Sequence, residues 1–176
     1  MKNILSVLIL IFLILNFGCL SNDTEKYIKD LKSENIMVRK SAIYYLGRNG
    51  EKSAVPILIE FLRDDQPKDI KLTSIEALGE IGDGRSVEAL VDTLTEHDAD
   101  IRIAAVEALG KIKDSKSVKP LINVLHDEDV QLFAIHALGK IGDKSAIPAL
   151  RKLLHDQDEY VRYNASQSLR KIGSGK

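Results

Sequence analysis

The sequence predicts an all-α chain built as a stack of helical hairpins, and three observations carry that prediction. A Leu-Gly pair recurs at Leu46-Gly47, Leu78-Gly79, Leu109-Gly110 and Leu138-Gly139, and Leu169-Arg170 takes the same place in a fifth copy. Eight residues before each leucine stands a β-branched residue (Val38, Ile70, Ile101, Val130, Val161), and eight after each glycine stands another (Val55, Val87, Val118, Ile147). Between these landmarks apolar residues fall at helical spacing, as in Ile101, Ala105, Val106 and Leu109, with none of the period-two alternation a strand needs.

Each copy therefore reads as helix A, a turn, and helix B. The A stripe ends at the Leu-Gly pair, and the B stripe runs through Val55, Leu58 and Leu62 and its equivalents Val87, Leu90, Leu94, then Val118, Leu121, Leu125, and Ile147, Leu150, Leu154. Ile81-Gly82-Asp83 and Ile141-Gly142-Asp143 supply a glycine for a left-handed cap and an aspartate for the free amides that follow. Pro56, Pro120 and Pro148 fall in the first turn of helix B, where a missing N–H costs little. The glycine of each Leu-Gly pair should cost about 1 kcal/mol inside a helix relative to alanine. Its recurrence predicts a close approach between helices.

One hairpin buries too little to stand alone, so the copies must share a continuous core with a cap at each end. At the front, Glu25 to Lys32, with Tyr27, Ile28 and Leu31, reads as a lone B helix. At the back, Asn164, Ser166 and Ser168 replace Ala104, Val106 and Ala108, so the final surface is expected to be wettable. The total is ten helices. Leu109 and Leu121 should lie in the middle of the stack, buried on all sides. The connection from Leu125 to Val130 is two residues short, which is expected to tighten the stack locally.

The wording of the repeat, in Asp98 to Ile112 and in Lys144 to Leu154, resembles HEAT repeats of the short, phycobilisome-lyase-like kind, over roughly residues 24 to 173. That resemblance implies a right-handed α-solenoid of stacked antiparallel hairpins, with the B helices lining a concave face. It also implies that the column Arg39, Lys71, Arg102 and Arg162, broken by Gln131, meets aspartates at the turns between repeats (Asp64 or Asp65, Asp98, Asp127, Asp156). Beside that column, Leu72, Ile103, Leu132 and Tyr163 either seal one repeat against the next or form an exposed apolar strip.

Ahead of the repeats, Lys2 precedes an apolar run from Ile4 to Leu15, followed by Gly18 and Cys19, the single cysteine. The arrangement reads as residues 1–18 acting as a signal peptide or membrane anchor, 19–23 as a short polar tether, and 24–173 as the solenoid. Its end resembles a bacterial lipoprotein signal, which implies lipid on Cys19. Asn16 departs from the leucine preferred three residues before the cysteine, so an uncleaved anchor and plain secretion stay open. The protein is expected outside the cytoplasm, tied to a membrane by its N-terminus.

Twenty-five basic against 26 acidic residues give no electrostatic footprint for nucleic acid. His126 and His155 hold the same place on successive B helices, but helices about 8 to 10 Å apart do not bring two imidazoles to one ion. The His-Glu dipeptides of the iron-binding deoxyhypusine hydroxylases, which resemble this fold, do not occur in the sequence. No triad, phosphate loop or paired carboxylate stands out. The expectation is a non-enzyme without metal, cofactor or small-molecule substrate: a scaffold that binds a protein partner on the concave face. The candidate contacts are Glu60 and Arg63 (beside Pro56), Glu88, Asp92 and Glu96, Lys119, Asn123 and His126, and Lys152 and His155 (beside Pro148). The alternatives are a regulatory or assembly subunit of an enzyme, including a bilin-lyase-like one, and a structural spacer.

Overall fold

A computed structural model describes residues 23–63 and 65–173. The signal segment, Cys19, most of the tether and Asp64 lie outside the described residues. Ten α-helices follow one another among those described. They are α1 (residues 23–30), α2 (Ile36–Arg48), α3 (Val55–Glu60), α4 (Lys68–Ile81), α5 (Val87–Asp92), α6 (Ala99–Ile112), α7 (Val118–Asn123), α8 (Gln131–Ile141), α9 (Ile147–Lys152) and α10 (Glu159–Gly173). The A helices α2, α4, α6, α8 and α10 pack side by side in that order. Each B helix rests on the A helix of the following copy, α3 on α4 and so on to α9 on α10.

The B helices are shorter than their sequence stripes. Each of α3, α5, α7 and α9 is a six-residue α-helix entered through a three-residue 3₁₀ turn. The turn is set by the preceding cap: Gly82 and Gly142 take positive φ, and Asp83 and Asp143 accept the amides of Arg85 and Ser145. Asp114 does the same for Lys116, and there Lys113, not a glycine, holds the left-handed position at φ 59°.

The recurrent glycine is explained by packing. A Cβ on Gly47 would stand 2.7 Å from Ala77 Cβ, one on Gly79 2.9 Å from Ala108 Cα, and one on Gly110 2.9 Å from Ala137 Cβ. Each glycine is therefore seated on the small residue one place before the leucine of the next copy. The core is continuous through the stack, with Leu46, Leu78, Leu109 and Leu138 from the A helices and Leu58, Leu90, Leu121 and Leu150 from the B helices all fully buried.

Both ends depart from this pattern. Tyr45 occupies the small-residue position of the first copy, and its ring stacks on Tyr27 of α1 at 3.8 Å. Thr24 donates to Glu51 at 3.0 Å, and Leu31 is buried, so the front helix caps the first repeat. At the back the expected wettable face needs one correction: Ser168 is buried against Gly139 and donates to the Ile135 carbonyl at 2.9 Å. It fills alanine's place and satisfies its hydroxyl across the interface. The short connection shows itself in α8, which has 11 residues where α4 and α6 have 14.

The basic column is also corrected in part. Arg102 pairs with Asp127 at 2.9 Å as expected, but Lys71 pairs with Glu96, and Asp98 takes Lys68. Four of the five positions in the column bind a backbone carbonyl six residues earlier. Arg39 donates to Ser33, Arg102 to Glu96, Gln131 to Leu125 and Arg162 to Asp156, at 2.7 to 3.0 Å. Gln131 does not break the column, because an amide reaches the same oxygen. The neighbouring apolar column divides: Leu72 and Ile103 pack against the core, whereas Leu132 and Tyr163 are exposed.

Candidate functional site

The short B helices turn one face outward, and nine of the ten expected contacts are exposed there. Glu60 and Arg63 leave the first repeat, Glu88 and Asp92 the second, Lys119, Asn123 and His126 the third, and Lys152 and His155 the fourth. Glu96 differs. Its carboxylate is partly covered and holds the buried Lys71 ammonium at 2.9 Å, so it fixes one repeat against the next instead of facing a partner. Removing the carboxylate would leave an uncompensated buried ammonium, at a cost of about 3 to 5 kcal/mol.

Between α3 and α5 runs a groove of about 530 Å³. Ile59, Leu62 and Ala89 give it an apolar lining, while Arg63 and Asp92 stand at it with exposed charges. Its other oxygens are engaged by the fold: Thr93 donates to the Ala89 carbonyl at 2.8 Å, Thr95 to that of Asp92 at 2.9 Å, and Glu96 holds Lys71. What remains can position a side chain by charge and apolar contact. Farther along the same face the charge changes sign, from Glu88 and Asp92 to Lys119, Arg151 and Lys152, all exposed.

The outer, A-helix side carries a different chemistry. Lys111 reaches back to Glu80 at 2.7 Å, lowering that carboxyl below its ordinary range. Burial, helped by Lys171 and Lys140 and opposed by Glu107, holds the His136 imidazole below its usual value. Sequence reasoning left Leu132 and Tyr163 open as an exposed strip but missed Met37, Phe133 and Tyr160 on this side. The signal was readable by register: Met37 and Tyr160 stand where the middle copies have Asp69, Asp100 and Asp129. Among the described residues no helix is long and apolar enough to cross a membrane, and no three His, Cys, Asp or Glu side chains converge as metal ligands.

Comparison with known proteins bears on this arrangement. A family model for HEAT repeats matches residues 24–78, 58–131 and 118–176. None of the curated proteins matches the chain. Among solved structures, the complex of CpcE and CpcF of phycocyanin lyase from Nostoc sp. PCC7120 is similar, with a TM-score of 0.71 and 25% identity over 86% of this chain; the chain spans 65% of that one's length. An engineered protein gives 0.65 at 26% identity, covering 86% of this chain and 80% of its own. A designed armadillo repeat protein, solved with the peptide (KR)4, shares the fold at 0.63 and 21% identity, covering 83% of this chain and 80% of its own. The repeat in register, the glycine seats and the family match over most of the length agree: the chain belongs to the HEAT repeat family.

Proposed function

We propose that the protein is a non-enzymatic scaffold, held outside the cytoplasm at a membrane by its N-terminus, that binds a protein partner along the B-helix face. The observation that carries this reading is the groove between α3 and α5, with an apolar lining and an exposed Asp92 and Arg63. Solenoids present such extended surfaces as a consequence of stacking. The order of charges along the face, acidic in the second repeat and basic in the third and fourth, suits a partner that docks in one direction, since rim charges steer encounter and suppress reversed arrangements.

The test is capture of co-purifying proteins with the full chain and with a variant carrying Glu88→Lys and Asp92→Lys. The reversal should weaken capture through a slower, less salt-sensitive association and leave the helical melt unchanged. Glu76→Lys with Glu107→Lys, on the outer side, is the control. If the control abolishes capture and the groove variant binds normally, recognition lies on the A-helix side.

A second reading has its own support. The similarity to the CpcE and CpcF complex favours a regulatory or assembly subunit of an enzyme, lyase-like in type, in which the same groove would seat the partner enzyme. Reconstitution of an activity only when a co-purified enzyme is present would establish that reading over the plain scaffold.

A further inference from the structure

The last two B segments carry charge of one sign. Residues 115–126 and 144–155, which hold α7 and α9 with the turns that open them, contain Lys116, Lys119, Lys144, Arg151 and Lys152 and no carboxylate. His126 and His155 close them at matching places. The corresponding stretches of the first two repeats are mixed, with Glu60, Glu88, Asp92 and Glu96 among the cations. In a chain with 25 basic against 26 acidic residues this is segregation, not excess.

Elsewhere the fold employs its cations. Lys40 is held by Asp69, Lys68 by Asp98 and Asp100, Lys71 by Glu96, Arg102 by Asp127 and Asp129, and Lys111 by Glu80. Lys119, Arg151 and Lys152 are exposed and have no side-chain partner among the described residues. The carboxylates just beyond α7 and α9 are mostly engaged in the turns. Asp127 and Asp129 hold Arg102, while Asp156 and Asp158 accept the amides of Asp158 and Tyr160. In these two connections only Glu128 is free, past α7 on the way to α8. Like charges gathered on one face repel one another and add nothing to the fold, but they attract and steer an anionic partner.

The rest of the face decides what kind of anion fits. Glu88 and Asp92 stand exposed one repeat away, so a uniformly anionic polymer or bilayer laid along the B helices would be repelled there. No B helix carries an exposed large hydrophobic side chain to enter a bilayer. A polypeptide can change its charge within a few residues. The groove between α3 and α5, lined by Ile59, Leu62 and Ala89, has room for one of its apolar side chains.

We propose, resting on the reading of the B face above, that the partner offers an extended acidic segment whose carboxylates pair with Lys119, Arg151 and Lys152 across α7 and α9. The continuation of that segment places an apolar side chain in the groove between α3 and α5. The A helices set a step of about 8 to 10 Å per repeat, and an extended chain advances about 3.3 Å per residue, so the acidic residues recur about every three positions. By the same measure the apolar residue stands about four positions from the nearest of them. The charge pairs set direction and rate of encounter more than affinity, and weaken with salt.

The test pans the full chain, in detergent micelles, against a displayed library of random 12-residue peptides. The selected sequences are synthesised and measured by fluorescence anisotropy at low and at physiological salt. The expected result is peptides with Asp or Glu at spacings of about three and an apolar residue beyond them. Lys119→Glu with Lys152→Glu should weaken them at least tenfold without changing the thermal melt, because both positions are exposed, and exchange of the peptide's acids for lysine should restore binding to that variant. Peptides without an excess of acid, acidic peptides indifferent to the double change, or no enrichment over the double variant would each overturn the proposal. Equal binding of phosphatidylglycerol vesicles or of a single-stranded oligonucleotide would overturn it as well, in favour of a general polyanion surface. Peptides that are not acidic yet lose affinity on Asp92→Lys would leave the B-face reading standing alone. Loss only on Glu76→Lys with Glu107→Lys would remove both.

Discussion

Gly110 is held where a Cβ would stand 2.9 Å from Ala137 Cβ, so this glycine contributes to stability by what it lacks. Gly110→Ala would gain about 1 kcal/mol of helix propensity and lose about 1 to 3 kcal/mol to overpacking. We expect a net loss, read as a lower urea midpoint. Arg170 stands in the same register position and is exposed, and Arg170→Ala should change stability by less than about 0.5 kcal/mol. The close approach was legible in the sequence because a costly residue recurred at a fixed place. Ser168 was not, since a serine in an alanine's place reads as a solvent-facing residue until the Ile135 carbonyl is found opposite it.

Turns between helices are held by side chains that bond backbone, and this was the least legible layer. The sequence pairs the cations of the Arg39 to Arg162 column with aspartates, whereas the structure shows a carbonyl six residues back as the partner shared by Arg39, Arg102, Gln131 and Arg162. Charge patterns reveal acids and bases but not carbonyl oxygens, so Gln131 looked like a gap. Arg102 combines both bonds, meeting Asp127 and Asp129 as well as the Glu96 and His97 carbonyls. Arg102→Ala should therefore cost about 1.5 to 3 kcal/mol, the range for hydrogen bonds to charged groups, and Arg102→Gln clearly less, as judged by denaturant melts. The cap before α5 gives a pH signature. Side-chain and amide bonds from Arg85 hold the Asp83 carboxyl down to about 2, against an unfolded value of about 3.9. The folded pKa lies below the unfolded one, so the cap's contribution is present above about pH 4 and fades as pH falls toward 2. Asp83→Asn should flatten the acid limb of the stability curve in that window.

At the scale of the whole molecule, fold class, helix number and repeat boundaries followed from a single period, because each copy repeats the same burial problem. The site was less legible. Outward position on the B helices could be counted, and nine of ten residues proved exposed, but Glu96 was lost to Lys71, a partner on a different helix. Of the exposed apolar residues on the A helices, Leu132 and Tyr163 were legible as a possible strip, whereas Met37 and Tyr160 escaped notice because they are ordinary core types standing where the middle copies have aspartate. The N-terminal segment supplies a separate prediction. If Cys19 carries lipid, Cys19→Ser should release the protein from the membrane fraction without altering the solenoid melt. An unmodified Cys19 still joined to Gly18 in the mature protein, seen by mass spectrometry, would reject lipidation.

The alternation of glycine and small residue from copy to copy works as a coupling, and Tyr45 and Arg170 stand outside it, the one stacked on Tyr27 and the other exposed. Each internal junction, by contrast, offers a glycine on one side and an alanine or serine on the other. Duplication of an internal hairpin, such as the one containing Leu109-Gly110, would meet a matching seat on both sides and extend the core. A gene of this design can grow from its middle, and any length variation among its descendants should be found there.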